Sequence, residues 1–549
     1  MTFKTQEDIN CDVLIIGGGG AGLRAAIAAS SSNIDVLMVS KTRMGHASNT
    51  FLSKAIIASS GYGDLNDSST IHGKDTRQGG RYLNNPDMVA QFTGAIRSET
   101  KLLKKWGVKF ASDENGRPAV MKVPGHSYAR HLYGSNWKGS DIVLPLKQKA
   151  IESGVRFLEH IFVSALMVCG SIICGITGIS QKGRFLAVRA KTIVLTTGGF
   201  GQVFLNTNNA PGITGDGHAL AYAAGVPLQD MEFVQFYPTA RGKHGSRILL
   251  YEKILGQKGV KLKNNNGKDI LKKNGYAEPD DLTRDMLAQL IMKEILEDPE
   301  QRGTMDMDLS GLSQDAARSL AMLLPARFSK GTTVFKVTPT THFCMGGICV
   351  DTQGQTCFPE LFAAGEVTAG SHGANRLGGN ALAEVIAMGA LVGRAAAKRA
   401  MSLDHPVPGF NSAVQHEKKR LNAMFMDQGV LPKNLIQELK QTMWFNAGIV
   451  RDLQSLDRAL ETVMTSKDTK ALVTTPKDLI RFLEFRNMGL VAELICRSAI
   501  ERTESRGSHF RSDYPEENNQ DWLKNIQAKK NHAGVMLTQV TVSGRDSVL

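Results

Sequence analysis

Gly17, Gly19 and Gly22 stand in the spacing G-x-G-x-x-G between an apolar run, "DVLII", and a run of small residues, "AGLRAAIAA". Glycines between a strand and a helix let backbone approach a ligand closely and bring a pyrophosphate to the helix N-terminus. The chemistry predicted is dinucleotide binding. The next apolar run, "DVLMVSK", ends in Ser40 and Lys41 rather than in the carboxylate that grips a ribose, so an ordinary nicotinamide site is not expected. Glycine-rich stretches recur in "VLTTGGFG" (Val194 to Gly201), "TGDGHALAYAAG" (Thr214 to Gly225) and "LFAAGEVTAGSHGANRLGGNALAEVIAMGALVGRAAA" (Leu361 to Ala397). The last again reads strand, glycine turn and long small-residue helix, whose N-terminus favours a bound anion.

A chain of 549 residues with 42% apolar and 21% charged residues must divide into several domains of ordinary globular composition. Its formal charge of +13 is spread without an arginine-rich tract, which argues against nucleic acid and for an acidic partner or anionic ligands. The seven cysteines, Cys11, Cys169, Cys174, Cys344, Cys349, Cys357 and Cys496, form no C-x-x-C pair and no zinc or iron–sulfur spacing. They predict free thiols in a reducing compartment, no metal site, and any cluster in another subunit. The opening "MTFKTQEDINCDVLIIGGGG" runs straight into a strand without a basic, removable leader, and "VSALMVCGSIICGITGI" (Val163 to Ile179) predicts a buried hairpin rather than a membrane span. The expectation is a soluble cytoplasmic protein, associated with a membrane only indirectly through partners.

The ordered segments "EFVQFYPT", "PTTHFCMGGI" (Pro339 to Ile348), "AAGEV", "HGANRLGGNAL" and "ERTESRGSHFRSDYPE" (Glu501 to Glu516) resemble the flavoprotein subunits of succinate dehydrogenase and fumarate reductase, with L-aspartate oxidase as a relative. The resemblance implies FAD, contacted by Gly17, Gly19, Gly22, Ser40, Lys41, Ser48, Thr50, Asp216 and Glu366, with Glu366 on the ribose. Asn380, Ala381 and Leu382 would lie at the isoalloxazine end. It also implies an α/β fold: a Rossmann-like FAD-binding domain of the glutathione-reductase type, an inserted α+β capping domain and a C-terminal helical domain. The expected division is 1–237 and 338–408 for the FAD-binding domain, 238–337 for the cap, 409–520 for a three-helix bundle and 521–549 for a surface extension or docking strand. The partner implied is an iron–sulfur protein, although the aspartate oxidases carry a similar C-terminal signature and work alone.

Four departures bear on the chemistry. Family members that bind flavin covalently read S-H-T where this chain reads Ser48-Asn49-Thr50; asparagine cannot form that bond, so FAD is expected to be non-covalent, with His46 a loop residue. Where they read A-Q-G-G, this chain has Ser53-Lys54-Ala55-Ile56, and Lys54 either lies by the flavin or points to solvent. Tyr237 replaces a histidine that binds a substrate carboxylate. "YEKILG" (Tyr251 to Gly256) replaces T-E-x-x-R-G, so that Leu255 stands where the resemblance implies a proton-donating arginine.

Proton delivery is worth about 10²–10⁴ in rate. His342 and Arg376 remain where the family holds the other carboxylate. The catalytic set expected is therefore Tyr251, Glu252, His342 and Arg376, with Tyr251 the first choice of donor and Arg247 or Lys253 as substitutes relayed through Glu252. The substrate expected is a small organic acid with one acidic and one apolar end rather than fumarate. A fumarate reductase with a substitute donor, and a flavin relay or scaffold protein with a vestigial substrate site, are the alternatives.

Overall fold

A computed structural model describes residues 3, 5–243, 248–250, 252–276, 282–298, 300, 303–321, 324–325, 327–404, 408–532 and 534–542, and leaves the side chains of Glu252 and Lys253 undescribed. β1 (Glu7–Ile16) ends in the buried run Val13–Ile16, turns at the glycines and continues as α1 (Gly20–Ser30), of which all but Ser30 is buried. β2 (Val36–Ser40) pairs parallel with β1 at Val13↔Val36, and its apolar residues are buried on both faces, as a parallel sheet covered by helices requires. The short α2 (Asn49–Leu52) leads to β3 (Ile56–Ala58); α3 (Ser69–Gly79) and the amphipathic α4 (Pro86–Lys105) follow. β4 (Val120–Met121) and β5 (His131–Tyr133) complete a small antiparallel sheet with β3, and α5 (Ser140–Glu152) returns the chain to the main sheet.

That sheet adds β6 (Arg156–Glu159), the predicted hairpin as β7 (Ile161–Cys169) and β8 (Ile172–Ser180), and β9 (Phe185–Leu195), in the order β6-β2-β1-β9-β8-β7. After α6 (Asp216–Ala224) and β10 (Leu228–Gln229), β11 (Val234–Arg241) enters a second sheet. The capping segment carries α7 (Glu252–Leu255), β12 (Lys261–Lys263), α8 (Ile270–Lys273), α9 (Arg284–Leu296), β13 (Met305–Asp308) and α10 (Gln314–Ser319). β14 (Val334–Cys344) leads out of it, giving the sheet order β11-β14-β13-β12. The expected boundaries at 237/238 and 337/338 fall inside β11 and β14, which pair antiparallel at Tyr237↔Thr340. The cap is continuous with the strands that lead into it, so it is anchored on the floor of the site.

β15 (Gly347–Ile348) and β16 (Leu361–Ala363) precede α11 (Asn380–Met401); β16 joins the main sheet beside β9. α11 crosses α1 closely: a Cβ on Gly393 would stand 2.2 Å from Ala25 O, so only glycine permits the approach. Among the described residues α11 is the one helix long and apolar enough to cross a membrane, yet 72% of that stretch is buried in the protein, as in the core helix of a globular fold. α12 (Phe410–Asn422) packs on β7, whereas α13 (Pro432–Asn446), α14 (Leu453–Ser466) and α15 (Pro476–Glu501) pack on one another as the expected three helices. After α16 (Asn519–Trp522), the tail forms a hairpin, β17 (Lys524–Asn531) and β18 (Gly534–Thr541), and β17 pairs with β10 at Leu228↔Ala528. Of the two readings of the tail, the docking strand describes it.

Candidate active site and cofactor cleft

Two cavities meet at Asn49, Thr50, Glu366 and Val385, which line both. The first follows the glycine turn and is walled by Gly17, Gly19, Ser40, Lys41, Ser48 and Asp216. The three glycines of the motif have different causes. A Cβ on Gly17 (φ +121) would stand 2.2 Å from Thr196 O, and one on Gly22 2.0 Å from Gly17 O, so the packing of strand on helix demands both. A Cβ on Gly19 would meet nothing nearer than Ser48 Cβ at 3.6 Å. The protein's own packing does not require a glycine there; the close approach of a pyrophosphate does. The cradle fits a dinucleotide.

Lys41 closes one end. Its Nζ lies 2.5 Å from Asp216 Oδ2, 2.9 Å from Glu484 Oε1 and 2.6 Å from Thr214 Oγ1. Burial pulls the ammonium pKa down, but the two carboxylates outweigh it and hold it above its usual value. Lys41 and Asp216 thus meet each other as well as lining the cleft. Ser48 caps α2, accepting from Phe51 N at 3.2 Å, while Thr50 Oγ1 accepts from Gly20 N at 3.1 Å and ties α2 to the start of α1. Asn49, at the position of the family's tethering histidine, is saturated: its Nδ2 donates to Asn209 Oδ1 and Glu366 Oε2, both at 3.0 Å, and its Oδ1 accepts from Ala210 N at 3.0 Å. Glu366 also accepts from Cys344 N at 3.2 Å, and burial raises its pKa.

The second cavity, of about 580 Å³, holds the polar groups expected of a substrate site. Asn208 Nδ2 lies 3.0 Å from His342 Nδ1, which leaves the hydrogen of a neutral ring on Nε2. Burial, then Arg376 and Arg284, keep that ring neutral by pushing its pKa well below the usual value. Arg376 is 6% exposed; its Nη2 donates to Gln235 Oε1 at 2.7 Å and its Nη1 to Leu377 O at 3.0 Å, while Nε has no partner among the described residues. Burial first, then Arg284, lower its pKa to about 9 against the opposing pull of the Glu366 carboxylate, which forms no ion pair with it. A buried guanidinium with no carboxylate paired directly to it is costly, and a bound carboxylate supplies that partner. Gly378, Gly379, Ala381 and Leu382 line the same cavity beside Arg376; Asn380 is wholly buried behind them.

Arg284 is the residue that sequence reasoning missed. It lines the cavity, with its guanidinium carbon 4.9 Å from the centre of the Tyr237 ring, and Tyr237 in turn packs edge-on to His342 at 5.6 Å. The stretch "DLTRDMLAQL" was legible as a helix start, yet Arg284 follows the N-cap Thr283 directly, where a cation opposes the helix dipole. That misplaced charge was the available signal. The next residue, Asp285, accepts from Asn375 Nδ2 at 3.2 Å and so latches the cap to the loop of Arg376.

Leu255 is 1% exposed within the apolar core and does not line the cavity. The expectation that a cation is lost from the substrate site with Leu255 is therefore corrected: the site has Arg284 as well as Arg376. Of the other expected donors, Tyr251 and Arg247 lie outside the described residues, and Glu252 and Lys253 lie on α7 with side chains outside that description. Lys54 lines the cavity, and burial followed by Lys138 lowers its pKa. Ala55, beside it, is fully buried at φ +56, a conformation unusual for a residue with a side chain.

The chain has full-length relatives. Residues 12–382 match the FAD binding domain family, and residues 436–545 match the fumarate reductase flavoprotein C-terminal family. The chain is 34% identical over 544 residues to a subunit of the CoM/CoB fumarate reductase of Methanothermobacter marburgensis, covering 95% of this chain and 97% of that one. It is 32% identical over 596 residues to the 8-methylmenaquinol:fumarate reductase flavoprotein subunit of Wolinella succinogenes, covering 99% and 94%. Among solved structures, FrdA of E. coli quinol fumarate reductase superposes with a TM-score of 0.87 at 28% identity, covering 98% and 97%. Sdh1 of Mycobacterium smegmatis superposes with a TM-score of 0.88 at 31% identity, covering 97% and 94%. A glycine cradle that fits a dinucleotide thus stands beside a full-length likeness: the chain belongs to the succinate dehydrogenase/fumarate reductase flavoprotein family and is an FAD-dependent oxidoreductase.

Proposed function

We propose that this chain reduces the double bond of an unsaturated carboxylate, with fumarate among its acceptors. The observation that carries the reading is the meeting of Arg284, Arg376 and His342 in one cavity that adjoins the dinucleotide cleft. FAD, when bound, would supply hydride chemistry, and the glycine cradle with Ser48, Thr50 and Glu366 would hold it. Arg376 grips one carboxylate, with Gln235 and the Leu377 carbonyl fixing its fork and the Phe343 ring 4.8 Å beneath it. His342 donates from Nε2 to the same group, oriented by Asn208. Arg284 faces the substrate from the cap, where it holds the second carboxylate and delivers the proton to the carbon that does not take the hydride. The cap, latched at Asp285, keeps water from the reacting carbons.

A second reading keeps the reaction but enlarges the substrate. Tyr237 stands where a carboxylate-binding histidine was expected, and Met121, Val123, Pro124, Trp137 and Leu249 make one side of the cavity apolar. That wall suits an enoate with one acidic and one apolar end. Turnover of viologen-reduced enzyme with fumarate, crotonate and cinnamate separates the two: the main reading expects fumarate fastest, and cinnamate exceeding fumarate would replace it with the second. No turnover of any acid would leave a flavin relay.

FAD is proposed to be non-covalent, because Asn49 has no nucleophilic ring nitrogen and its amide is already committed to three partners. Acid precipitation is expected to leave all the yellow colour in the supernatant; colour in the pellet would contradict this. An electron-donating iron–sulfur protein is proposed as partner, supported by the naming of the relatives as subunits of larger enzymes and by a net charge of +13 suited to an acidic surface. Membrane association would then come through such partners.

A further inference from the structure

Three buried histidines converge behind the glycine turn that opens α11. His126 Nε2 lies 3.0 Å and His131 Nε2 3.1 Å from the same oxygen, Gly378 O, while His72 Nε2 lies 2.8 Å from Asn380 Oδ1. The His126 and His131 rings meet edge to face at 4.4 Å. Of the two rings on Gly378 O, only His126 has its proton fixed by its neighbours, since His131 faces a carbonyl at each nitrogen. Arg130 Nη1 donates to its Nδ1 at 3.1 Å, so the neutral ring carries its hydrogen on Nε2 and donates it to Gly378 O.

Arg130 has no freedom to do otherwise. It is wholly buried, forked onto Asp67 at 2.7 and 3.1 Å and bonded to Asp75 at 2.7 Å; Asp75 in turn accepts from Ser127 N at 2.8 Å. A rigid chain therefore runs from Asp67 through Arg130 and His126 to the carbonyl of Gly378. Nothing in this chain touches the substrate cavity except its last member.

The Gly378 carbonyl belongs to the peptide whose N–H is that of Gly379, the left-handed residue (φ +77) that starts α11 without a side-chain cap. The N–H groups of Gly379, Ala381 and Leu382 find no acceptor among the described residues, and all three residues line the cavity. Donation to a peptide's carbonyl polarises that peptide and strengthens its N–H as a donor. It also holds the turn in one orientation.

We propose that His126 is a positioning residue for the flavin: it orients and polarises the Gly378–Gly379 peptide so that the uncapped start of α11 favours the reduced, electron-rich cofactor over the oxidised one. The role is distinct from substrate binding and from proton delivery.

His126→Gln keeps a donor near the Nε2 position, whereas His126→Asn keeps contact with Arg130 but falls short of Gly378 O. With FAD at saturation, the midpoint potential of each variant is read by dye equilibration. H126N is expected to lose about tenfold of the preference for reduced over oxidised FAD, a fall of about 30 mV for a two-electron couple. H126Q should stay within twofold of the parent. Should H126N fail to fold, H126L carries the same expectation in the same assay. Equal potentials in all the proteins would overturn the proposal, and so would an equal fall in H126N and H126Q, which would assign His126 a role in ring packing alone.

Discussion

Arg284→Leu is expected to lower kcat for fumarate by about 10²- to 10⁴-fold, the usual contribution of a positioned proton donor, with FAD content unchanged. Arg284 lines the substrate cavity and not the dinucleotide cleft, so its loss should leave cofactor binding intact. The substitution also removes a cation from the start of α9, where it opposes the dipole, so stability should hold or rise slightly. Arg284→Lys keeps the charge but not the fork and is expected to recover only part of the rate. A kcat for R284L within threefold of the parent would remove Arg284 from the chemistry and return attention to Tyr251 and Glu252.

Arg376→Met is expected to raise KM for fumarate by about 10- to 100-fold, since a charge-assisted hydrogen bond to a carboxylate contributes about 1.5–3 kcal/mol. Its distinguishing signature is pH. The guanidinium is a cation below its lowered pKa of about 9 and neutral above it, so kcat/KM of the parent should fall as pH rises through about 9. R376M should lack that alkaline limb. Losing the bonds to Gln235 Oε1 and Leu377 O offsets the relief of no longer burying a guanidinium, so replacing Arg376 by an apolar side chain of similar length should change Tm little. A lower Tm together with an unchanged pH profile would show a structural residue instead.

The cofactor cleft was legible because its signal is local: strand, glycine turn and helix are contiguous from Asp12 to Ala29, and each glycine's spacing has a direct steric meaning. The hairpin over Val163 to Ile179 and the three packed C-terminal helices were legible for the same reason, since periodicity reports one element at a time. The substrate site was only half legible. His342 and Arg376 lie in stretches with recognisable neighbours, but Arg284 reaches the cavity from the cap, and no local pattern in "DLTRD" states what its side chain faces. Reading Leu255 as a lost cation assumed that a position along the chain fixes a position in the cavity; instead, α7 turns Leu255 into the apolar core. The chain from Asp67 to Gly378 was invisible because its members come from separate segments of the sequence.

The central claim, that two guanidiniums and a neutral imidazole present an unsaturated acid to the flavin, is tested most directly by anaerobic reoxidation. The FAD-loaded protein is reduced chemically, mixed with fumarate, and followed at the flavin absorbance beside R284L. The account predicts rapid, saturable return of the oxidised spectrum in the parent and at least a hundredfold slower return in R284L. A parent that stays reduced in the presence of millimolar fumarate would contradict it.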